Sequence, residues 1–371
     1  MNVQDKSLFQ LYLGEWKSIF KDRSVFLIFI LGPILYSFFY PLPYSEQIVR
    51  DIPIVIVDND HSSMSRKLAT MTNETDEVAV KKVVYSQAEA EALLKKGEVY
   101  GVLAIPKNFE ARIRQGKSVQ VELMGDAGYF LIYSQSVTGM YKAAATLGAG
   151  IEIRRMQAKG QTYTKAKQLR DPLPLQKQSL FNSVGGYMSY VVPAVLVLIL
   201  QQTLLIGMGL RNTRKKLLLK EIFARSLTYV TIYLSHILFY TSVVFPYLGL
   251  YKNFSLDVLL VWSLLFLFLT IGWGWLLSLL FKNRLALMQL MIIVSMPLLF
   301  LTGFSWPLES FPKVLYYLSQ ILPATLSLPT FLRVHQMHVN LELIAPAFLM
   351  MLGQAVVVWI LFFLLRKIKR T

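Results

Sequence analysis

Long apolar runs alternate with short basic or polar segments along most of this chain, and one large polar interruption follows the first run. Six runs, at 24–42, 186–209, 223–250, 256–281, 285–304 and 343–365, match the roughly 20 helical residues needed to cross a bilayer. Ahead of them, residues 5–22 place Leu8, Phe9, Leu11, Tyr12, Trp16 and Ile19 largely on one side of a helix with charges opposite, the pattern of an interfacial helix. The fifth run does not end as a simple span. Past Gly303 it is cut by Pro307, Pro312, Pro323 and Pro329, each removing a backbone donor and disfavouring helix just before it. Between them Leu308, Phe311, Val314, Leu315, Leu318 and Leu322 recur at helical spacing. Short helices lying in or dipping into the far leaflet, a re-entrant segment, are expected there.

The interruption from about 44 to 180 is large enough for a folded domain of its own. Segments 52–60, 78–85, 99–106 and 119–126 read as strands, with helix-like SSMSRKLATM and SQAEAEALLKKG between the first three. Ser86 is placed to cap the second of these helices, with Glu89 three residues on. Strands alternating with helices imply an α/β domain with at least partly parallel pairing. A long helix is expected from about Tyr129 to Lys159, then a stiff Asp171-Pro172-Leu173-Pro174 return to the membrane.

Composition sharpens this picture. Of 371 residues 54% are hydrophobic and the mean hydropathy is +0.47, too apolar for a soluble globular protein. The net charge of +16 could suggest nucleic acid, yet much of it flanks the apolar runs, at Lys17, Lys21 and Arg23, at Arg211, Arg214, Lys215, Lys216 and Lys220, at Lys282 and Arg284, and at Arg366 to Arg370. No aromatic-interleaved basic face accompanies these clusters, so no nucleic-acid partner is expected. They follow the positive-inside pattern, which puts both termini in the cytoplasm and residues 44–180 outside. Run 24–42 exits into tyrosines and prolines, without the small-residue site of a cleaved signal peptide. No cysteine is present, which excludes disulfides and thiolate metal sites.

Candidate chemistry is sparse. Gly116-Lys117-Ser118 lacks the P-loop glycine, position 111 being Ala111, and follows a predicted helix. His335 and His338 have i, i+3 spacing, but the simpler reading is interfacial histidines at a helix end. Asp58, Asp60 and His61 resemble a ligand cluster, although Asp and Ser after a strand more often shape a turn and cap the next helix. No catalytic residue, metal site or cofactor is expected. Runs two to six hold no Asp or Glu deep inside, which disfavours an ion-coupled transporter. Of the ionisable exceptions, Arg225 is expected to snorkel and His236 to make a hydrogen-bonded helix contact.

The stretch FLTGFSWPLESFPKVLYYLSQILP (300–323) is similar to the signature of ABC-2 type permeases, the membrane subunits of ABC exporters, particularly the subgroup with a large extracytoplasmic insertion after the first span. VDNDHSSMSRKL (57–68), GDAGYFLIYSQ (125–135) and 181–207 extend the resemblance over nearly the whole chain. It implies a non-catalytic permease working with a separate ATP-binding subunit and a second permease subunit, the same or a related chain, in a cell membrane. With a two-membrane source it implies an inner-membrane location, a periplasmic adaptor and an outer-membrane channel. It places ATPase docking in the cytoplasmic loop matched by 211–226, with Arg214, Lys215, Lys216, Lys220 and Glu221 as candidates, although the segment is poorer in Gly and Glu than the family pattern. It makes Gly303, Pro307, Glu309 and Pro312 an outer gate, and Asp58, Asp60, Ser62, Ser65, Arg66, Asp126 and Tyr129 structural motifs of the external domain.

The expected organisation is an α-helical integral membrane protein: an interfacial helix (1–23), span 1 (24–43), an α/β extracytoplasmic domain (44–180) and spans 2 to 6 (181–371), with the re-entrant outer segment after span 5. Two other classes compete with an exporter permease. A membrane-anchored receptor or attachment protein needs only one or two spans, and an ion-coupled efflux transporter needs charge within them.

Overall fold

The computed structural model of the protein describes residues 6–176, 178–182, 186–213, 215, 217–250 and 254–368. Contacts divide the chain into two compact units, one of Met1–Gln47 with Ser179–Thr371, the other of Ile48–Gln178.

In the helical unit, six helices among the described residues are long and apolar enough to cross a membrane. They are span 1 (Arg23–Tyr44), span 2 (Tyr187–Asn212), span 3 (Leu219–Tyr247), span 4 (Leu256–Leu280), span 5 (Arg284–Leu301) and span 6 (Leu341–Ile368). Helix α1 (Leu8–Lys21) precedes them, opened by a capping box in which Ser7 and Gln10 exchange side-chain and backbone bonds. The apolar side expected for α1 is divided: Ile19 packs inward while Leu8 and Phe9 face out, and Glu15, expected on the charged side, is buried. With Ile19 packed inward and Phe9, Leu13 and Phe20 exposed elsewhere on the helix, one hydrophobic side does not describe it.

Spans 2 and 4 form the core, their inward faces interlocking through Leu196, Leu200, Leu204, Trp262, Phe266 and Ile271. Small residues permit close approach. A Cβ on Gly274 would lie 2.4 Å from Met208 Sδ, and one on Gly209 2.5 Å from Leu287. Prolines inside the spans leave carbonyls without a helical donor, and at two of them a side chain from another helix stands in. Pro33 cannot donate to Phe29 O, which lies 2.9 Å from His236 Nε2; this is the helix contact expected for that histidine. Pro193 likewise leaves Ser189 O, which accepts from Gln336 Nε2 at 2.9 Å. Spans 1 and 3 each contain a π-helical turn, Leu27–Leu31 and Tyr240–Val244, shortly before or at such a proline.

After span 5 come a short turn at Leu308–Ser310, helix α2 (Lys313–Ser319) and helix α3 (Pro323–Gln336). Exposed apolar side chains such as Val314 and Tyr317 line α2, whereas α3 packs against spans 2, 4 and 6. The carbonyls just past the end of α2 are served from span 6: Gln354 Nε2 donates to Gln320 O and Ile321 O at 3.1 and 2.6 Å.

The second unit carries a four-stranded sheet in the order β2-β1-β3-β4, where β1 is Ile52–Asp58, β2 Val78–Val84, β3 Gly101–Ile105 and β4 Glu122–Gly125. The first three strands are parallel and β4 pairs antiparallel with β3. Strand β1 is buried at every position but Pro53, as expected for a parallel strand covered on both faces. The helices are α4 (Ser63–Asn73), α5 (Gln87–Lys95), α6 (Phe109–Arg114), α7 (Phe130–Ala158) and α8 (Tyr163–Arg170). Ser86 stands at the N-cap of α5 without a side-chain cap bond, and Glu89 instead pairs with Lys82 at 2.6 Å.

Candidate functional site

One buried polar cluster joins elements far apart in sequence. Arg211 ends span 2, Arg225 and Tyr229 lie in the first turns of span 3, and Glu15 sits on the inner face of α1, only 3% exposed. Arg211 grips the Glu15 carboxylate with a two-pronged fork, Nε to Oε1 at 2.8 Å and Nη2 to Oε2 at 3.0 Å, and also donates to Ser18. Arg225 Nε stands 3.4 Å from the other side of the carboxylate, and Tyr229 Oη donates to it at 3.1 Å. Asn212 closes the ring, accepting from Arg225 Nη1 at 2.8 Å and donating to Tyr229 Oη at 3.1 Å. The fork geometry is the strong form of carboxylate recognition. Arg225 therefore does not snorkel as its position suggested, because a buried acid lies closer than water.

The other spans hold the same corner. Trp275 Nε1 of span 4 donates to Ser226 Oγ at 2.9 Å, and Arg366 Nη2, at the end of span 6, donates to Leu217 O at 2.7 Å. Of the five docking candidates, Glu221 caps its own helix by accepting from Leu218 N at 2.8 Å, and Lys220 precedes it. Arg214 and Lys216 lie outside the described residues. Lys215 follows Asn212, whose carbonyl takes its N–H at 3.1 Å. Desolvation, reinforced by the nearby Arg211 and Arg225 charges, lowers its ammonium to about 8. A lowered lysine pKa makes the nucleophilic amine available at lower pH. Half-maximal acylation of Lys215, followed by peptide mass spectrometry across pH, is expected near 8, earlier than for an ordinary lysine at about 10.4; half-reaction above 10 would contradict the crowding.

Sequence reasoning found the cations of this corner but not Glu15. The available signal was a single acid within an otherwise cationic N-terminal helix, one turn before Ile19.

The proposed gate residues form one continuous loop. Gly303 has φ +77°, and an added Cβ would lie 2.5 Å from Leu308 Cγ, so only glycine fits. Pro307 and Pro312 precede the short turn and α2, with their carbonyls accepting from Ser310 and Tyr316; Glu309 is exposed between them. Tyr190 of span 2 anchors the loop by donating to Phe304 O at 2.6 Å and stacking on its ring. Gly303→Val should cost roughly 1–3 kcal/mol through left-handed strain and overlap, read as a lower melting temperature of the purified protein; an unchanged melting curve would refute this.

In the α/β unit the aspartates build the turn after β1. Asp58 accepts from Asp60 N and His61 N at 3.0 Å and from Ser65 Oγ at 2.7 Å. Asp60 accepts from Phe109 N and Glu110 N at 2.8 and 3.0 Å, capping α6. Ser62 and Ser65 form a capping box for α4, and Arg66 donates to His61 O. Asp126 accepts from Gly128 N, and Tyr129 packs edge-on against Tyr100. These bonds occupy the two carboxylates, the His61 ring packs edge-on against Tyr85, and no cluster able to hold a metal occurs among the described residues. His335 and His338 do not converge: His335 is buried against Phe245, Phe254 and Phe331, while His338 is exposed. The first is thus a core residue, not the interfacial histidine expected. Lys117 follows α6 through Gly116 at φ +80°, a helix end instead of a phosphate loop.

Comparison with curated proteins finds no match. The family model described as ABC-2 family transporter protein matches residues 23–364, from the start of span 1 nearly to the end of span 6. With six membrane-length helices in a unit held together at one corner by its own buried ion cluster, this multi-pass membrane protein, a permease of an ABC transporter, belongs to the ABC-2 transporter family.

Proposed function

We propose that the chain is the permease subunit of an ATP-driven exporter, moving its substrate out of the cytoplasm or inner leaflet, and that a separate ATP-binding subunit docks at the corner built by α1, Lys215 and span 3. The observation that carries this is the Glu15 cluster. It ties α1 to the helices on both sides of the loop, so force applied there moves spans 2 and 3 together with α1. Two arginines surround one carboxylate and Lys215 is adjacent, leaving a positive excess that suits an acidic partner surface.

Both termini and this corner would face the cytoplasm, with Ile48–Gln178 as the extracytoplasmic domain receiving substrate or contacting a periplasmic adaptor and outer-membrane channel where two membranes exist. The Gly303–Pro312 loop and the helices after it would form the re-entrant outer gate. A second permease subunit, the same or a related chain, would complete the path. Unpaired polar atoms favour a second packing arrangement: Gln201 Oε1, both amide atoms of Gln202, Thr270 Oγ1 and Trp273 Nε1, in spans 2 and 4, have no hydrogen-bond partner among the described residues. Such atoms are costly in hydrocarbon, so a rearrangement that pairs them is favoured, as transport requires.

Lys215→Glu tests the docking. The expected result is a loss of roughly tenfold or more in ATPase recovered with the permease, at unchanged expression and melting temperature. Full recovery, with ATP-dependent efflux intact, would remove the loop from the interface.

A further inference from the structure

A groove of about 660 Å³ runs along the outside of the helical unit between spans 3, 4 and 6. Its walls include Phe223 and Leu227 of span 3, Leu264 and Phe268 of span 4, and Trp359 and Phe363 of span 6. The polar atoms in these walls are already engaged. Trp359 Nε1 donates to Phe268 O at 3.0 Å, and Ser226 Oγ accepts from Trp275. A guest therefore meets hydrocarbon alone, in a volume within the usual range of about 300–1,000 Å³ for ligand sites.

One rim of the groove adds charge. Lys220 lies three residues before Phe223 and Lys367 four after Phe363, so each lysine borders the stripe of its helix that lines the groove. Both belong to the same rim, because Arg366 at the end of span 6 donates to Leu217 at the start of span 3, at 2.7 Å. Apolar walls below two cations on flanking helices match one molecule type, an acyl chain carrying an anionic head.

We propose that this groove is a binding site for an anionic phospholipid, with an acyl chain against Phe223, Leu227, Leu264 and Phe268 and its phosphate between Lys220 and Lys367. Placing that lipid in the cytoplasmic leaflet rests on the orientation proposed above. Basic pockets between membrane helices recognise such headgroups through this pairing of charge and burial. An occupant here would wedge span 3 against spans 4 and 6, beside the corner where the Glu15 cluster holds α1.

The test uses the purified full-length protein in vesicles containing phosphatidylglycerol or phosphatidylcholine with a photoactivatable acyl chain, and maps cross-links by peptide mass spectrometry. Expected are cross-links concentrated on the groove residues and stronger with phosphatidylglycerol. Filling the groove with Leu227→Trp should abolish them. Lys220→Gln with Lys367→Gln, which leaves the walls intact, should weaken phosphatidylglycerol labelling by roughly fivefold per lysine while phosphatidylcholine labelling is retained. Labelling spread evenly over the spans, equal labelling by both lipids, or disulfide coupling between two copies through Phe223→Cys would each overturn the site. ATPase recovery, measured on Leu227→Trp, which leaves every docking candidate in place, reports separately on the docking reading.

Discussion

Glu15→Ala is expected to destabilise the helical unit by about 3–5 kcal/mol, the range for removing one partner of a buried ion pair. An exposed pair would be worth at most about 1 kcal/mol, and burial decides between the two: Glu15 is 3% exposed and Arg211 and Arg225 are largely covered. Truncation leaves two guanidiniums facing each other without their shared carboxylate, and it also removes an acceptor from Tyr229. A drop in melting temperature should accompany release of α1, visible as faster proteolysis ahead of span 1. Converting the fork to apolar groups, Glu15→Leu with Arg211→Met, should recover part of the loss, since well-packed hydrophobic replacements of buried pairs are often neutral. A Glu15→Ala change under 1 kcal/mol would mean that the cluster is solvated and contributes little.

Gly207→Val is expected to be nearly as damaging, at about 1–3 kcal/mol or more. A Cβ at position 207 would lie 2.4 Å from Phe29 Cε1. The ring cannot move aside cheaply, being fully buried and in contact with Tyr229 at 5.2 Å and Tyr233 at 5.7 Å between centroids. Thermal unfolding monitored by tryptophan fluorescence should show the loss, and Phe29→Leu added to Gly207→Val should restore part of it by making room. Gly148→Ala is the control: nothing lies within 4 Å of an added Cβ there, and alanine in a helix gains roughly 0.5–1 kcal/mol over glycine.

The spans were legible because lipid demands uninterrupted apolar helix, but their ends were not. Span 3 begins at Leu219 instead of 223, since the polar residues of its first turns are satisfied locally: Glu221 caps the helix and Arg225 finds Glu15 and Asn212. In the α/β unit β1 and β2 were plain from their β-branched runs, whereas β4 is Glu122–Gly125, ELMG, past the valines at 119 and 121 on which the expected 119–126 strand rested. Helix α8 was missed because TKAKQLR offers no apolar stripe and buries only Ala166, its start being fixed by Thr162 accepting from Lys165 N. The site was half visible. A basic loop announces itself by composition, whereas Glu15 acquires meaning only through Arg211, 196 residues away, and no local pattern encodes that distance.

The most direct measurement concerns which side of the membrane each unit occupies. With no native cysteine in the chain, Lys117→Cys and Lys215→Cys can be probed separately with an impermeant maleimide. Labelling of position 117 on intact cells, and of 215 only after permeabilisation, is the expected result. Protection at 117 together with ready labelling of 215 from outside would contradict a cytoplasmic docking corner and an outward-facing α/β unit.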